Sequence, residues 1–283
     1  MQIIKQKTKT LITRDNGRSA DAITPNFVYG CLGGCMKSYC YVGRFNRDKV
    51  YLNENTETIM KSVLEWVKDK PWPKIPNQTD NQYYTFDIGC STDVPLLSKH
   101  YDWQKVFNYF NSFEKIKSTF ATKYPTRFDV TKYTLNKEKN RIRVSLMPQK
   151  YSNVLEPNTD LIEDRINCIP KLQEHLEVHI NFSPIIYEEG WLEEYENLFK
   201  ALKEKNIDVP CECIFLTYNV TSYANNSEEV NKLCWKPDLQ EAKNSTYADN
   251  NIRYKYQIKA KMIQDFKNLY SKYFNINNIR YIF

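Results

Sequence analysis

Cys31, Cys35 and Cys40 fall together in the stretch NFVYGCLGGCMKSYCYVGR, with a glycine pair and two tyrosines among them. Thiols crowded onto one loop are placed to grip something, since a thiolate is both a nucleophile and a metal ligand. Iron–sulfur clusters take Cys thiolates, four of them when the cluster only transfers electrons. A loop offering three leaves one iron open to a ligand that reacts. The competing reading is zinc, completed by a distant residue such as Cys211 or Cys213. Structural zinc favours paired C-x2-C knuckles, and this chain has none.

Other groups are judged by the same chemistry. Cys90 directly follows the strand pattern Tyr83–Gly89, where a thiol serves either as a small core residue or as a reactive group at a strand end. His175 and His179 have H-x3-H spacing but straddle the junction of a helix and a strand and lack the glutamate of H-E-x-x-H. Glu156, Asp160 and Glu163 suit the start of a helix. No G-x-S-x-G, Walker loop or G-x-G-x-x-G is present. A basic and aromatic run, Arg253-Tyr254-Lys255-Tyr256 with Lys259 and Lys261, is either a solvated helix start or a surface for phosphates and bases.

Composition sets the bounds. The chain has 283 residues, 41% hydrophobic and 26% charged, with a formal net charge of +6, which suits a globular protein and permits a polyanionic partner. The polar, basic start MQIIKQKTKTLITRDNGRSA lacks an apolar signal core, and no run approaches a membrane span. A reducing cytoplasm is expected, where clustered thiols are ligands or catalysts rather than disulfides.

These groups must be positioned by alternating elements. Residues 1–22 read as an irregular N-terminal segment and 23–283 as one domain. Helical spacing marks Thr56–Lys68, Asp102–Phe113, Thr159–Leu176 (capped by Thr159, broken or kinked at Pro170), Glu189–Lys205 and Ile258–Phe274. Strand patterns mark Tyr83–Gly89, Lys117–Lys123, Arg141–Met147, Val178–Ile186, Cys211–Thr217 and Ile279–Ile282. Residues 219–251 read as a loop-like insertion. Alternation of this kind predicts an α/β fold, a partial (β/α)6 TIM-like barrel with reactive groups at the C-terminal strand ends. Cys90 and Ser145 both satisfy that placement.

The cysteine loop resembles the cluster-binding loop of radical S-adenosylmethionine (radical SAM) enzymes, usually C-x3-C-x2-C. Here the spacing is C-x3-C-x4-C, longer by the equivalent of Lys37-Ser38. Cys35, Tyr39, Cys40 and Tyr41 resemble the C…YCY ending found in the spore photoproduct lyase family. DIGCSTDVPLLSKH (87–100), RIRVSLMPQKYSNVLEPNTDLIEDRINCIPKL (141–172) and INFSPIIYEEGWLEEYENLF (180–199) are similar, in order, to further stretches of that family.

The resemblance implies a radical SAM barrel in which Cys31, Cys35 and Cys40 hold a [4Fe-4S] cluster whose free iron chelates S-adenosylmethionine. Reductive cleavage of that cofactor yields a 5′-deoxyadenosyl radical, which in the family abstracts hydrogen from spore photoproduct, a thymine dimer in DNA, and so starts its repair. The resemblance also implies Cys90 as hydrogen-atom donor and Tyr39 and Tyr41 as relay or cofactor contacts. It places Ser91, Lys123 and Ser145 at S-adenosylmethionine. Arg253, Tyr254 and Lys255 are the DNA candidates, and the electron donor is of the flavodoxin or ferredoxin type. The alternatives are a radical SAM enzyme acting on another nucleic acid or a peptide, and a non-catalytic zinc-stabilised nucleic-acid-binding module.

Overall fold

Period-two alternation along the strands decides the architecture. The computed structural model describes residues 1–33, 48–219, 227–243 and 251–283. Short strands open the chain: β1 (Gln2–Gln6), β2 (Arg14–Asp15), β3 (Ala22–Ile23), β4 (Val28–Tyr29) and β5 (Lys49–Asn53). Then come α1 (Thr56–Lys68), β6 (Tyr84–Asp87), α2 (Trp103–Ser112), β7 (Ile116–Thr122) and β8 (Asn140–Leu146). Helices α3 (Gln149–Leu155) and α4 (Ile162–His175) lead to β9 (Glu177–Ile185), α5 (Trp191–Glu204) and β10 (Cys211–Phe215). The chain closes with β11 (Thr217–Asn219), α6 (Glu228–Cys234), β12 (Gln240–Lys243), β13 (Asn251–Tyr254), α7 (Tyr256–Tyr270) and β14 (Ile279–Ile282).

The main sheet has eight strands in the order β14-β10-β9-β8-β7-β6-β3-β2. Every neighbouring pair is parallel except β2 with β3. One face is apolar: Phe86, Phe120, Ile142, Val144, Ile180 and Phe182 are buried under the helices. Phe182, for example, meets Tyr195 and Phe199 of α5 and Phe266 of α7 edge-on. The other face carries Asp87, Thr119, Arg141, Arg143, His179 and Glu212, buried but polar. Arg143 on β8 bonds Asp87 on β6 at 2.7 Å and Glu212 on β10 at 3.4 Å. One side chain reaches strands on both sides of its neighbours only if the sheet curls around it. The partial barrel expected from the alternation is therefore the fold observed.

The two edges of the curl nearly meet. Arg18, in the β2–β3 turn, stacks over the Phe283 ring at 4.2 Å, just beyond β14. Arg280 of β14 donates to the carbonyl oxygens of Gln78 (2.8 Å from Nε) and Thr79, pinning a strap across the N-terminal end of the barrel.

Several sequence expectations need correction. The segment 1–22 is not irregular throughout, because β1 pairs in parallel with β5 and β2 pairs with β3. Thr159 does not cap α4: its hydroxyl donates to Glu156 O at 2.6 Å and accepts from Arg165. Nor does Pro170 break that helix, which continues to His175. α3 was hidden within a segment without clear helical spacing. Residues 219–251 are more than a loop, because α6 and β12 lie within them, and β12 pairs with β13, as does β11. No helix among the described residues is long and apolar enough to cross a membrane.

Candidate active site at the C-terminal strand ends

The cysteine loop is anchored by backbone that only glycine can supply. Gly30 has φ +103°, and a Cβ there would stand 2.6 Å from the Lys49 carbonyl oxygen. Its N–H donates to the Ser91 carbonyl at 3.0 Å, so the loop starts against the turn that follows β6. Cys31 is buried, and its Sγ accepts the Gly33 N–H at 3.3 Å. A Cβ on Gly33 would come within 2.9 Å of the Tyr124 hydroxyl. The first thiol thus sits between the end of β6 and the end of β7. Cys35, Cys40, Tyr39 and Tyr41 lie outside the described residues.

Cys90 occupies that same β6 turn. As a residue it is exposed at the C-terminal strand ends, yet its thiol group is largely surrounded by protein. Desolvation and the nearby Asp87 carboxylate push the thiol up to about 11, outweighing the pull of Arg14 and Arg143. It is therefore a neutral S–H, not an activated thiolate.

Ser91, Lys123 and Ser145 come to the ends of β6, β7 and β8, three adjacent strands. Lys123 is not an ordinary surface lysine. Its backbone N–H is held by Asp93 Oδ2 at 2.9 Å, and its Nζ lies 3.5 Å from Glu156 Oε1. Glu156 is buried and paired with the fully buried Arg165 at 2.9 Å, rather than supporting a helix start. Arg165 also donates to the Ser145 carbonyl at 2.8 Å. One buried ion pair thus braces both β7 and β8 where the candidate ligands emerge. Asp93 accepts from the Thr122 hydroxyl at 2.8 Å as well, and burial raises its carboxyl to about 6 against those bonds.

The sequence reading missed the polar layer beneath. Arg143 stays firmly protonated because Asp87 and Glu212 outweigh the burial that opposes its charge. Asp87 in turn accepts the Gly89 N–H at 2.9 Å, directly supporting the Cys90 turn. Below this layer, His179 is bonded through Nε2 to Glu177 at 2.7 Å and through Nδ1 to Arg280 at 2.8 Å. Burial, helped by Arg141, lowers its pKa to about 3, so it stays neutral with Nε2 protonated. His175 ends α4, and His179 spends both nitrogens on side chains, so the two form no metal pair. The missed signal was legible: R-I-R-V-S and E-V-H-I-N place polar groups on alternate positions of otherwise apolar strands.

The zinc reading loses its fourth ligand. Cys211 and Cys213 are fully buried on the helix-facing side of β10, where Cys211 Sγ contacts the Tyr270 hydroxyl at 3.6 Å. Burial holds the Cys213 thiol well above its ordinary range. Among the described residues no group of three His, Cys, Asp or Glu could hold a metal.

The DNA candidates divide. Arg253 is exposed and pairs with Glu241 at 3.2 Å, while Lys255 Nζ donates to the Asp238 carbonyl at 2.8 Å. Tyr254 turns inward, 1% exposed, its hydroxyl accepting the Tyr187 N–H at 2.9 Å, so it has no face for a base. The neighbouring ring available to a ligand is Tyr256, 81% exposed.

Comparison with known proteins agrees with this geometry. The family profile described as spore photoproduct lyase matches residues 3–283. A spore photoproduct lyase of Bacillus subtilis (strain 168) is 25% identical over 198 residues, covering 69% of this chain and 54% of that protein. The chain thus spans about half the length of this curated relative. A solved spore photoproduct lyase complexed with dinucleoside spore photoproduct superposes with TM-score 0.79 at 17% identity, over 99% of this chain and 82% of that one. A cysteine-to-alanine mutant with the same dinucleoside superposes with TM-score 0.81 at the same identity and coverage.

Proposed function

Because this chain belongs to the spore photoproduct lyase family, we propose that it is a radical SAM lyase that returns spore photoproduct in DNA to two thymines. The observation carrying this reading is the Gly30 N–H bond to the Ser91 carbonyl, 3.0 Å. It joins the cysteine loop to the turn bearing Cys90.

The described residues fit the cofactors the reaction needs. Cys31 offers a buried sulfur on a glycine-shaped loop, and with Cys35 and Cys40 would hold a [4Fe-4S] cluster. Lys123 with the hydroxyls of Ser91 and Ser145 provides a cation and hydrogen-bonding groups for the amino-acid part of S-adenosylmethionine. When bound, the cluster and S-adenosylmethionine supply a carbon-centred radical on one-electron reduction, and that hard chemistry belongs to the cofactor.

The protein's own groups do the rest. Lys123 would meet the methionyl carboxylate, with Glu156, 3.5 Å from its ammonium, holding that group at the end of β7. Cys90 delivers a hydrogen atom to the product thymine radical: the S–H bond breaks, a C–H bond forms and a thiyl radical stays on sulfur. A thiol whose pKa is about 11 is almost wholly protonated at neutral pH, as that transfer requires. Tyr39 and Tyr41 are assigned to return the hydrogen atom or to contact the cofactor. The Arg253–Lys255 region, with Tyr256 in place of Tyr254, faces the DNA. A flavodoxin- or ferredoxin-type donor in the cytoplasm supplies the electron.

Anaerobic reconstitution with iron and sulfide, reduction, and incubation with irradiated dry DNA test this reading. Mass spectrometry is expected to show loss of spore photoproduct and recovery of thymine. Consumption of S-adenosylmethionine with the lesion untouched overturns the substrate and favours radical chemistry on another molecule.

A further inference from the structure

At the C-terminal ends of β10 and β14, several strands along the sheet from Lys123, lies a cavity of about 180 Å³ lined by Arg18, Phe215, Leu216, Thr217, Arg253, Tyr254, Lys259 and Phe283. The geometry points to a binding pocket for one DNA phosphodiester group flanking the lesion, with Arg18 as its principal ligand. This rests on the DNA-repair reading above.

Three cationic side chains converge here from three separate parts of the chain. Arg18 comes from the β2–β3 turn, Arg253 from β13 and Lys259 from the first turn of α7. Among the described residues Glu241 pairs with Arg253 at 3.2 Å on an exposed surface; such a contact is weak and easily exchanged. Arg18 has no ion pair among the described residues. Its guanidinium carbon lies over the Phe283 ring, 4.2 Å from the centroid, and Lys259 Nζ stands 5.4 Å from the same ring. A cation–π contact of this kind holds a guanidinium in place without using its N–H donors, which can then meet an anion.

Size selects the ligand. The cavity is smaller than the roughly 300 Å³ at which small-molecule pockets begin, and its three cationic side chains suit a small anion such as a phosphate group. Position selects the source. Phe215 and Phe283 mark the C-terminal ends of β10 and β14, the face on which Cys90 and Lys123 also emerge. A strand whose damaged step enters the barrel mouth would lay its backbone across this edge. Phosphate contacts of this type orient a nucleic acid without reading its sequence. The β2–β3 turn therefore closes the gap in the barrel and also contributes to the substrate surface.

The test compares wild type with Arg18→Gln on two substrates: the phosphate-free dinucleoside spore photoproduct, and an oligonucleotide carrying the lesion between flanking phosphates. The ratio of kcat/KM, oligonucleotide over dinucleoside, is expected to fall about tenfold in the variant, the scale of one charge-assisted hydrogen-bonded contact. Fluorescence anisotropy with an undamaged single-stranded oligonucleotide supplies a readout independent of repair. There the slope of log affinity against log salt should shrink by about 0.7, one phosphate's share, and Arg18→Lys should restore most of it. An unchanged ratio with an unchanged slope overturns the proposal, as does an equal loss on both substrates. Wild type that binds the oligonucleotide but repairs neither substrate instead defeats the lyase reading, while the anisotropy slope still decides the pocket.

Discussion

Replacing Asp93 with Asn should make the protein more stable at neutral pH and remove a specific part of its pH dependence. Burial raises this carboxyl from 3.8 to about 6, even though it accepts hydrogen bonds from the Lys123 N–H and the Thr122 hydroxyl. The folded protein therefore holds the Asp93 proton more tightly than the unfolded chain does. Its contribution to stability is fully present below pH 4, is lost as pH rises toward 6, and stays lost above. The displacement corresponds to about 3 kcal/mol at 1.36 kcal/mol per tenfold. Asparagine carries no charge to desolvate, but it forfeits one acceptor oxygen, a cost of about 1 kcal/mol. The net gain expected at pH 7 is about 2 kcal/mol, and near pH 4 the variant should be no more stable than wild type. Urea denaturation followed by tryptophan fluorescence at half-unit steps from pH 4 to 7 measures the difference directly. Parallel stability profiles for the two proteins across that range would refute the reasoning, because they would mean Asp93 is already ionised in the fold. The same variant loosens the Lys123 backbone and should raise the KM for S-adenosylmethionine. A destabilising carboxylate is tolerated where it fixes a ligand-bearing strand end.

Other outcomes follow from individual contacts. Cys90→Ala should leave S-adenosylmethionine cleavage measurable while thymine recovery drops at least tenfold; unchanged recovery by mass spectrometry removes Cys90 from the donor role. With the thiol at about 11, wild-type repair should show no loss from Cys90 ionisation between pH 7 and 9. Arg143→Met would take from the buried Asp87 its guanidinium partner at 2.7 Å, while Glu212 keeps Arg280 at 3.2 Å, and should cost about 3–5 kcal/mol, read as a lowered Tm. Gly30→Ala places a methyl against the Lys49 carbonyl in a left-handed conformation, so a loss of at least 1–3 kcal/mol and poor iron incorporation are expected.

Buried pairing explains what sequence patterning overlooked. Glu156 and Asp160 looked like helix-start acids, yet Glu156 is the buried partner of Arg165, and Asp160 accepts from Thr126 at 2.6 Å. Nothing in local spacing announces a salt bridge that forms only when α4 docks on β8. Tyr254 failed as a base-stacking candidate for a related reason: alternation along β13 turns it inward, whereas Tyr256, at the start of α7, remains outside.

Sequence alone was sufficient for the strand–helix alternation and for the placing of Cys90, Lys123 and Ser145 at strand ends. Those features depend on residue type and short-range period, which survive in one dimension. Tertiary structure alone decided that the sheet curls until Arg18 reaches Phe283 and that Arg143 joins Asp87 to Glu212. It also decided that Cys211 and Cys213 face the helices rather than the polar inner face of the sheet. Each of these is a contact between distant segments, set by strand order and by which face of the sheet a side chain occupies. A one-residue change in register would reverse those faces without altering the composition at all.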